Sequence, residues 1–455
     1  MNTDTTIAAI STPTGEGGIG VVRISGSNAA DIADSIFTAA SGKRLKGSVG
    51  YSAHFGTLHD KSGDTIDQCI ALVFKAPKSY TGEDIVELSV HGGDYVVRAA
   101  LRAAIDAGAV PAERGEFTKR AFLNGKLDLS EAEAVMDIIS ASDRQALSAG
   151  LAALGGAVSE KCGRIRDELK FAAATVAAFS DFPDEEPEFS GIDKLGELLE
   201  NAACRLGTLI SDYDTGRMIK NGINTVIIGP PNAGKSTLMN RLTGYDRSIV
   251  TPVAGTTRDT VEETVSFGGV TLRLCDTAGL HDTADPVEKI GVERAKERIA
   301  SADLVIVLLD GSDASYDSFE IMRLVCGKPT VVVYNKSDIA AYEPEGIKDE
   351  RQFTVSVSAK TGDGIERLAD AIKEVTAAEH LDGSSAVYLN ERQRDCAVRA
   401  ERSVKEALSA LESGITVDAV GVLIDEALSA LYELTGERVT VEVTNEVFSK
   451  FCVGK

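Results

Sequence analysis

Over roughly the first 120 residues, apolar positions fall in short runs such as VVRIS, ALVF and IVELSV, broken by Gly and Pro turns. Runs of that length and β-branched content predict strands, and the region reads as an α+β unit. From Leu127 to about Arg217 the text changes to long Ala-, Leu- and Glu-rich stretches with apolar residues three and four apart. No strand alternation interrupts them, so this zone is predicted helical. From Gly222, apolar strands (NTVIIG, TLRLCD, LVIVLLD, TVVVYN) alternate with helical segments, the pattern of a doubly wound α/β sheet. Beyond about Gly383 the helical style returns, in NERQRDCAVRAERSVKEALSALESG and DAVGVLIDEALSALYELTG. Each helical flank alone leaves an apolar stripe without a partner. Together they predict one helical domain with the α/β unit inserted into it. The expected domains are residues 1–125, 126–220 (helical, first part), 221–380 (inserted) and 381–455 (helical, second part).

A length of 455 residues exceeds what one core normally supports, in line with several domains. Hydrophobic residues make up 43% and charged residues 26%, the balance of a soluble globular protein. No uncharged apolar run approaches the roughly 18 residues that a membrane span needs, and the N-terminus MNTDTTIAAIS lacks the basic flank of a secretory signal. Cysteines 69, 162, 204, 275, 326, 396 and 452 are dispersed and odd in number, which suits reduced thiols and a cytoplasmic location. The net charge of −23 argues against broad, non-specific nucleic-acid binding. Residues 1–126, however, hold 13 Lys+Arg against 14 Asp+Glu, so any polyanion-binding patch is expected in the N-terminal region. On charge alone, simple solubility from surface carboxylates is the stronger reading.

The chemistry is concentrated in the α/β unit. NTVIIG-PPNA-GKS-TLMNRL reads as strand, loop and helix, with Gly229, Gly234, Lys235 and Ser236 in the spacing G-x-x-x-x-G-K-S. Backbone N–H groups of such a loop (Asn232, Ala233, Gly234 and Thr237 among them) and the following helix N-terminus surround phosphate. Lys235 would reach the β- and γ-phosphates, and the Ser236 hydroxyl would ligate Mg²⁺. Thr256 and Thr257, in the AGTTRD loop, place hydroxyls where they can sense the γ-phosphate through Mg²⁺. Asp276, Thr277, Ala278 and Gly279 form DTAG at the end of the strand TLRLCD. Asn335, Lys336 and Asp338 form NKSD after TVVVYN, and Ser358, Ala359 and Lys360 follow as a backbone contact to the base oxygen. Asp338 can accept from both the N1–H and the 2-amino group of guanine. Adenine lacks that donor pair and would leave the carboxylate unpaired, at about 1–3 kcal/mol. Five pieces in order, each at a strand end, predict a GTP-binding domain.

In Ras-like switches a Gln directly after DTAG orients the attacking water. Here that position is Leu280. The residues alone leave Asp282, Asp285 and Glu288 as candidates to orient water, and Arg258 as a candidate cation in the transition state.

The chain resembles the MnmE (TrmE) family of tRNA modification GTPases along nearly its whole length. The blocks that carry this are TPTGEGGIGVVRISG, SYTGEDIVELSVHGG, ERGEFTKRAFLNGKLDLSEAEAVMDII, DFPDEE, PPNAGKSTLMN and the terminal FCVGK. The resemblance implies a homodimer with an N-terminal α+β folate-binding and dimerisation domain, and a helical domain carrying an inserted Ras-like P-loop GTPase domain. It implies C5 modification of the wobble uridine of certain tRNAs, with a flavin-dependent partner of the glucose-inhibited division protein family. The carbon would come from 5-formyl- or methylene-tetrahydrofolate. It further implies that K⁺ is held by Asn232, Thr251, Val253 and Thr256 within a nucleotide-contacting loop 251–257 that includes Pro252, Ala254 and Gly255. Mg²⁺ would be held by Ser236 and Thr257, and Glu288 would be the water-orienting catalytic residue. Folate contacts fall on Arg23, Glu87, Lys126 and Lys455, where basic groups suit glutamyl carboxylates and a carboxylate suits the pterin N–H edge.

Two features depart from that pattern. The segment GERVTVEVTNEVF is more β-branched than the family's helix-forming stretch, so the final helix is expected to be shorter or differently placed. Pro252 stands within the K⁺ loop, where it stiffens backbone without removing a side-chain ligand. Cys452 is placed in the tail, where a structural or folate-adjacent role outweighs covalent catalysis. Gly15, Gly17 and Gly20 fit the dinucleotide spacing G-x-G-x-x-G, but VVRIS follows where a helix would be needed. His54, His59 and His91 lack the spacing of a zinc site. The competing functional class is a GTP-regulated ribosome-assembly factor without modification chemistry, against which the acidic C-terminal segment speaks. Folate binding would separate the two.

Overall fold

The computed structural model describes residues 5–13, 15–141, 144–181, 192–245, 262–275, 298–312, 319–339, 352–376 and 388–455. Contacts divide the chain into two units. One comprises Met1–Met136, Cys162–Leu195 and Arg402–Lys455, the other Asp137–Lys161 and Gly196–Glu401.

The first unit is built on seven strands: β1 (Ile7–Ile10), β2 (Ile19–Ser25), β3 (Phe37–Ala39), β4 (Ser52–His59), β5 (Thr65–Phe74), β6 (Ile85–His91) and β7 (Val110–Pro111). Their order is β3-β4-β5-β6-β2-β1-β7, antiparallel throughout except for the parallel β1–β7 pair. Alternate residues face opposite sides. Val22, Ile24, Ala71, Val86 and Leu88 turn to one face and pack with alanines of α1 (Ala29–Ile36) and α2 (Asp94–Asp106). Arg23 and Glu87, between them, turn to the other. Gly15 and Gly17 lie between β1 and β2 and Gly20 lies within β2, so the dinucleotide spacing has no helix to open. After α3 (Glu116–Leu123) come α4 (Leu129–Ser140), α5 (Arg144–Leu154), α6 (Ala157–Asp181) and α7 (Ile192–Asn221).

The second sheet has the order β13-β12-β11-β8-β10-β9. Its strands are β8 (Ile223–Ile228), β9 (Glu262–Phe267), β10 (Val270–Cys275), β11 (Leu304–Asp310), β12 (Thr330–Asn335) and β13 (Gln352–Ser356). All neighbours are parallel except the β9–β10 hairpin. Leu304, Ile306 and Leu308 of β11 join one apolar cluster, and Val305, Val307 and Leu309 join another on the opposite face. That double burial explains why LVIVLLD is uniformly apolar. The described helices of this part are α8 (Lys235–Tyr245), α9 (Phe319–Leu324) and α10 (Ile365–Val375), followed by α11 (Glu391–Glu412), α12 (Val417–Thr435) and α13 (Val441–Ser449).

Helices from the two sides of the second sheet's sequence pack on one another, as insertion requires. In the first unit, Arg166 and Lys170 of α6 lie 5.2 and 5.8 Å from the Tyr432 ring of α12. Leu129 and Ala132 of α4 share a core with Val447, Phe448 and Phe451. In the second unit, Arg394 of α11 lies 5.0 Å from the Tyr213 ring of α7.

The β-branched C-terminal segment forms the nine-residue helix α13. The Thr440 hydroxyl accepts from the Val443 N–H at its N-terminus. Val447 and Phe448 are buried at 8% and 1% exposure. Burial of that face overrides the weaker helix propensity of its valines and threonine. The chain then folds back onto the first unit. Gly115 N–H donates to the Cys452 carbonyl at 3.3 Å and Phe117 N–H to the Lys455 carbonyl at 3.2 Å. These satisfy N–H groups that the start of α3 cannot bond within its own helix. Gly454 sits at φ +93°, and a Cβ there would lie 2.1 Å from the Ile10 carbonyl oxygen, so only glycine lets the tail pass this close.

Candidate functional site

Strand β8 lies inside the second sheet between β10 and β11, and it delivers the loop 229–234 at its carboxyl end to the N-terminus of α8. Gly234 has φ +98°, and a Cβ there would meet Asn335 Nδ2 at 2.2 Å. Both the backbone and the close approach therefore demand glycine. Asn232 also adopts positive φ, at +62°. Lys235 Nζ donates to the Gly229 and Pro230 carbonyls, each at 2.8 Å. A ligand anion at the loop would offer this ammonium charged acceptors in place of its own neutral carbonyls.

The other end of the site is tied to this loop by a single side chain. Asn335, 3% exposed at the end of β12, donates from Nδ2 to the Ala233 carbonyl at 2.8 Å. Its Oδ1 accepts the Ala359 N–H at 2.9 Å. Lys336, at φ +68°, pairs with Asp310 at 2.6 Å. Burial pushes the Asp310 carboxyl up, but hydrogen bonds from Lys336 and Ser312 outweigh it and hold the group below its usual range. Exposed Asp338 accepts the Ser358 hydroxyl at 2.7 Å, and that bond holds its carboxyl below the usual value. Arg241 of α8 donates to the Ala359 and Lys360 carbonyls at 3.1 and 2.5 Å. A cavity of about 470 Å³ lies beside it, walled by Thr237, Asn240, Arg241, Gly244, Ala359 and Lys360.

A second constellation stands on the first sheet. Arg23 and Glu87 are cross-strand neighbours on β2 and β6, joined by Arg23 Nε to Glu87 Oε1 at 2.8 Å. The Arg23 guanidinium lies 5.4 Å from the Tyr80 ring and 5.5 Å from the Phe117 ring. The Tyr80 hydroxyl is bonded to Thr118 Oγ1 at 2.8 Å, and burial pushes its phenol up, keeping it protonated. Lys126 Nζ donates to the Pro77 carbonyl at 3.1 Å, on the segment leading to Tyr80.

Comparison with known proteins decides the family. The model described as "GTP-binding protein TrmE N-terminus" matches residues 6–126, and that described as "MnmE helical domain" matches residues 129–452. The chain is 43% identical over 458 residues to a tRNA modification GTPase MnmE of Symbiobacterium thermophilum, covering 99% of each protein. It is 40% identical over 472 residues to the MnmE of Roseiflexus castenholzii, covering 100% of each. The chain belongs to the MnmE family of tRNA modification GTPases. Among solved structures, the FeoB G-domain from Methanococcus jannaschii aligns with 34% of this chain and 98% of its own at 27% identity, with a TM-score of 0.26, too low to bear on the assignment.

Of the nucleotide-site residues that the sequence singles out, the structure gathers Asn232, Ala233, Gly234, Lys235, Ser236, Thr237, Asn335, Lys336, Asp338, Ser358, Ala359 and Lys360 on loops and helix starts at the carboxyl ends of β8, β12 and β13. Thr251 to Thr257, Arg258, Asp276 to Gly279, Leu280, Asp282, Asp285 and Glu288 lie outside the described residues. Ser236 is thus the one described Mg²⁺ candidate and Asn232 the one described K⁺ candidate. Arg23 and Glu87 meet directly, and the Lys455 main chain adjoins Phe117 beneath them. Lys126 reaches the Pro77 carbonyl rather than that pair. His91 pairs with Asp67 at 2.8 Å, and His54 lies 3.2 Å from the Ser52 hydroxyl. Sequence reasoning missed Arg241, Asp310, Tyr80 and Phe117. Tyr80 sits in the SYTGED block and Phe117 in the ERGEFTKR block, but only strand pairing and the tail bring them to Arg23.

Proposed function

We propose that this chain is a K⁺-dependent GTPase that modifies C5 of the wobble uridine of certain tRNAs, adding an aminomethyl or carboxymethylaminomethyl-type group. It acts in the cytoplasm as a homodimer, with a flavin-dependent partner of the glucose-inhibited division protein family and a tetrahydrofolate one-carbon unit. The observation that carries the GTPase part is the bridge made by Asn335, which locks the phosphate loop to the base loop through Ala233 and Ala359. With both loops fixed at one spacing, a nucleotide must present its phosphates and a guanine edge together.

In this reading Lys235 exchanges its two carbonyl partners for phosphate oxygens, and Asp338 accepts from the guanine N1–H and 2-amino group. Ser236 and Thr257 would hold Mg²⁺, and Asn232, Thr251, Val253 and Thr256 would hold K⁺. The two cations, when bound, supply positive charge where the transition state spreads negative charge. Glu288 orients the attacking water. On the first sheet, Glu87 suits the donor edge of a pterin, and Arg23, Lys126 and Lys455 suit carboxylates. The partly exposed Tyr80 ring beside Arg23, backed by the fully buried Phe117, offers apolar surface that fits a planar ring.

The test is GTP turnover by the purified chain in KCl and in NaCl at matched ionic strength. Expected is stimulation by K⁺ that is lost in Glu288→Ala and reduced in Asn232→Ala. Equal rates in the two salts would leave GTP hydrolysis but remove the cation mechanism.

A further inference from the structure

The loop after β13 carries three successive backbone N–H groups with different fates. The Ala359 N–H donates to Asn335 Oδ1 at 2.9 Å, and the Thr361 N–H donates to Ser358 Oγ at 3.1 Å. Between them, the Lys360 N–H makes no hydrogen bond among the described residues. It is the one donor of this run left over for a ligand.

Its direction is set from α8. Arg241 Nε donates to the Ala359 carbonyl at 3.1 Å, and the guanidinium also donates to the Lys360 carbonyl at 2.5 Å. The Ala359 carbonyl and the Lys360 N–H are two ends of one planar trans peptide, so they point in opposite directions. Fixing the carbonyl fixes the N–H. Two bonds from one planar guanidinium hold the loop as a fork, which a single point contact would not. Arg241 also lines the cavity of about 470 Å³ that Thr237, Ala359 and Lys360 share.

Resting on the GTPase reading above, we infer that Arg241 is a positioning residue for guanine recognition. It holds the 359–360 peptide so that the Lys360 N–H meets the 6-oxo group of the base. It acts through that peptide alone. The phosphates belong to Lys235 and the N1–C2 edge to Asp338, so the three effects are separable.

The full-length chain is titrated with GDP, with 6-thio-GDP, which carries a weak acceptor sulfur in place of the 6-oxygen, and with IDP, which lacks the 2-amino group. The wild type is expected to prefer GDP over 6-thio-GDP by about tenfold, the worth of one hydrogen bond. In R241M, which keeps the stem and removes the donors, that ratio falls to about threefold or less. The GDP-to-IDP ratio, which reports on Asp338, stays as in the wild type. R241K, able to reach one carbonyl, gives an intermediate 6-thio ratio and serves as the comparison if R241M does not fold. A guanine-selective wild type whose 6-thio ratio survives in both variants overturns the role of Arg241 alone. A wild type with no preference for guanine overturns the GTPase reading and this inference together.

Discussion

In the second sheet the described candidate residues stand on loops and helix starts at the carboxyl ends of parallel strands. In the first sheet, Arg23 and Glu87 stand on the strands themselves. The difference follows from burial. Leu304–Asp310 is covered on both faces, so it has no side chain to spare and the chemistry moves to its ends. β2 and β6 are covered by α1 and α2 on one face, and on the other Arg23 and Glu87 lie beside Tyr80 and Phe117 yet keep 17% and 18% of their side-chain surface exposed to a ligand or partner. Each sheet therefore holds its site by different means. The nucleotide loops are fixed by side-chain hydrogen bonds from Asn335, Ser358 and Arg241, which close gaps of 102, 20 and 118 positions. The Arg23 site depends on residues far apart in sequence, including a tail that reaches α3 from the end of the chain.

The largest expected effect breaks the second kind of support. Phe448 is 1% exposed and packs 5.2 Å from the Phe451 ring and 6.2 Å from the Phe122 ring. Phe448→Ala should cost about 3–5 kcal/mol through lost transfer energy and the cavity left behind. Thermal denaturation should report that loss, and folate titration should weaken because the tail no longer holds its place beside Phe117. GDP affinity should stay within about twofold, since sites with no shared partners are usually independent. A parallel loss of GDP binding would show the two supports to be coupled.

The converse substitution sharpens the contrast. Gly234→Ala places a methyl 2.2 Å from Asn335 Nδ2 at φ +98°, so it strains the loop and breaks the bridge to Ala359 together. GDP affinity should fall by at least about 100-fold, or about 2.8 kcal/mol, the combined order of backbone strain and a lost buried hydrogen bond. Equilibrium titration measures it, and folate affinity should be unaffected. Near-normal GDP binding would mean that Asn335 can give way and that the bridge does not set the loop spacing.

The same contrast governs what could be read in advance. G-x-x-x-x-G-K-S, NKSD and Ser358–Lys360 are contiguous because each occupies one loop at one strand end, so spacing alone exposes them. Arg23 and Glu87 are 64 positions apart and became candidates only through resemblance to a family. Tyr80 and Phe117 carry no local signal, because their place beside Arg23 exists only after β2 pairs with β6 and α3 docks. Strand β13 escaped notice for a related reason. QFTVS is short, and none of its residues is fully buried, so it lacks the apolar run that marked its neighbours. The final helix, expected to be shorter or differently placed, spans nine residues. Its β-branched residues speak against helix locally, and the cap at Thr440 with the burial of Phe448 decides the matter globally.

The smallest expected effect concerns the base loop and its acid sensitivity. The Ser358 hydroxyl donates to Asp338 and lowers its carboxyl below the usual value. A carboxylate depressed in this way keeps its charge as pH falls through the ordinary range and loses it only below that range. If Asp338 reads guanine as an anion, GDP affinity should follow the same profile and persist into mild acid. Ser358→Ala removes the donor, so the Asp338 carboxyl returns upward and the acid loss of affinity should begin at higher pH. At neutral pH both proteins carry the charged form, and the difference between them should shrink to the few-fold worth of an exposed hydrogen bond that orients the carboxylate. GDP titrations from neutrality downward measure both limits. Superimposable profiles for wild type and variant would mean that Asp338 is protonated independently of Ser358. Acid sensitivity of guanine binding would then have to come from the phosphate end of the site, where Lys235 and the start of α8 meet the charge of the nucleotide.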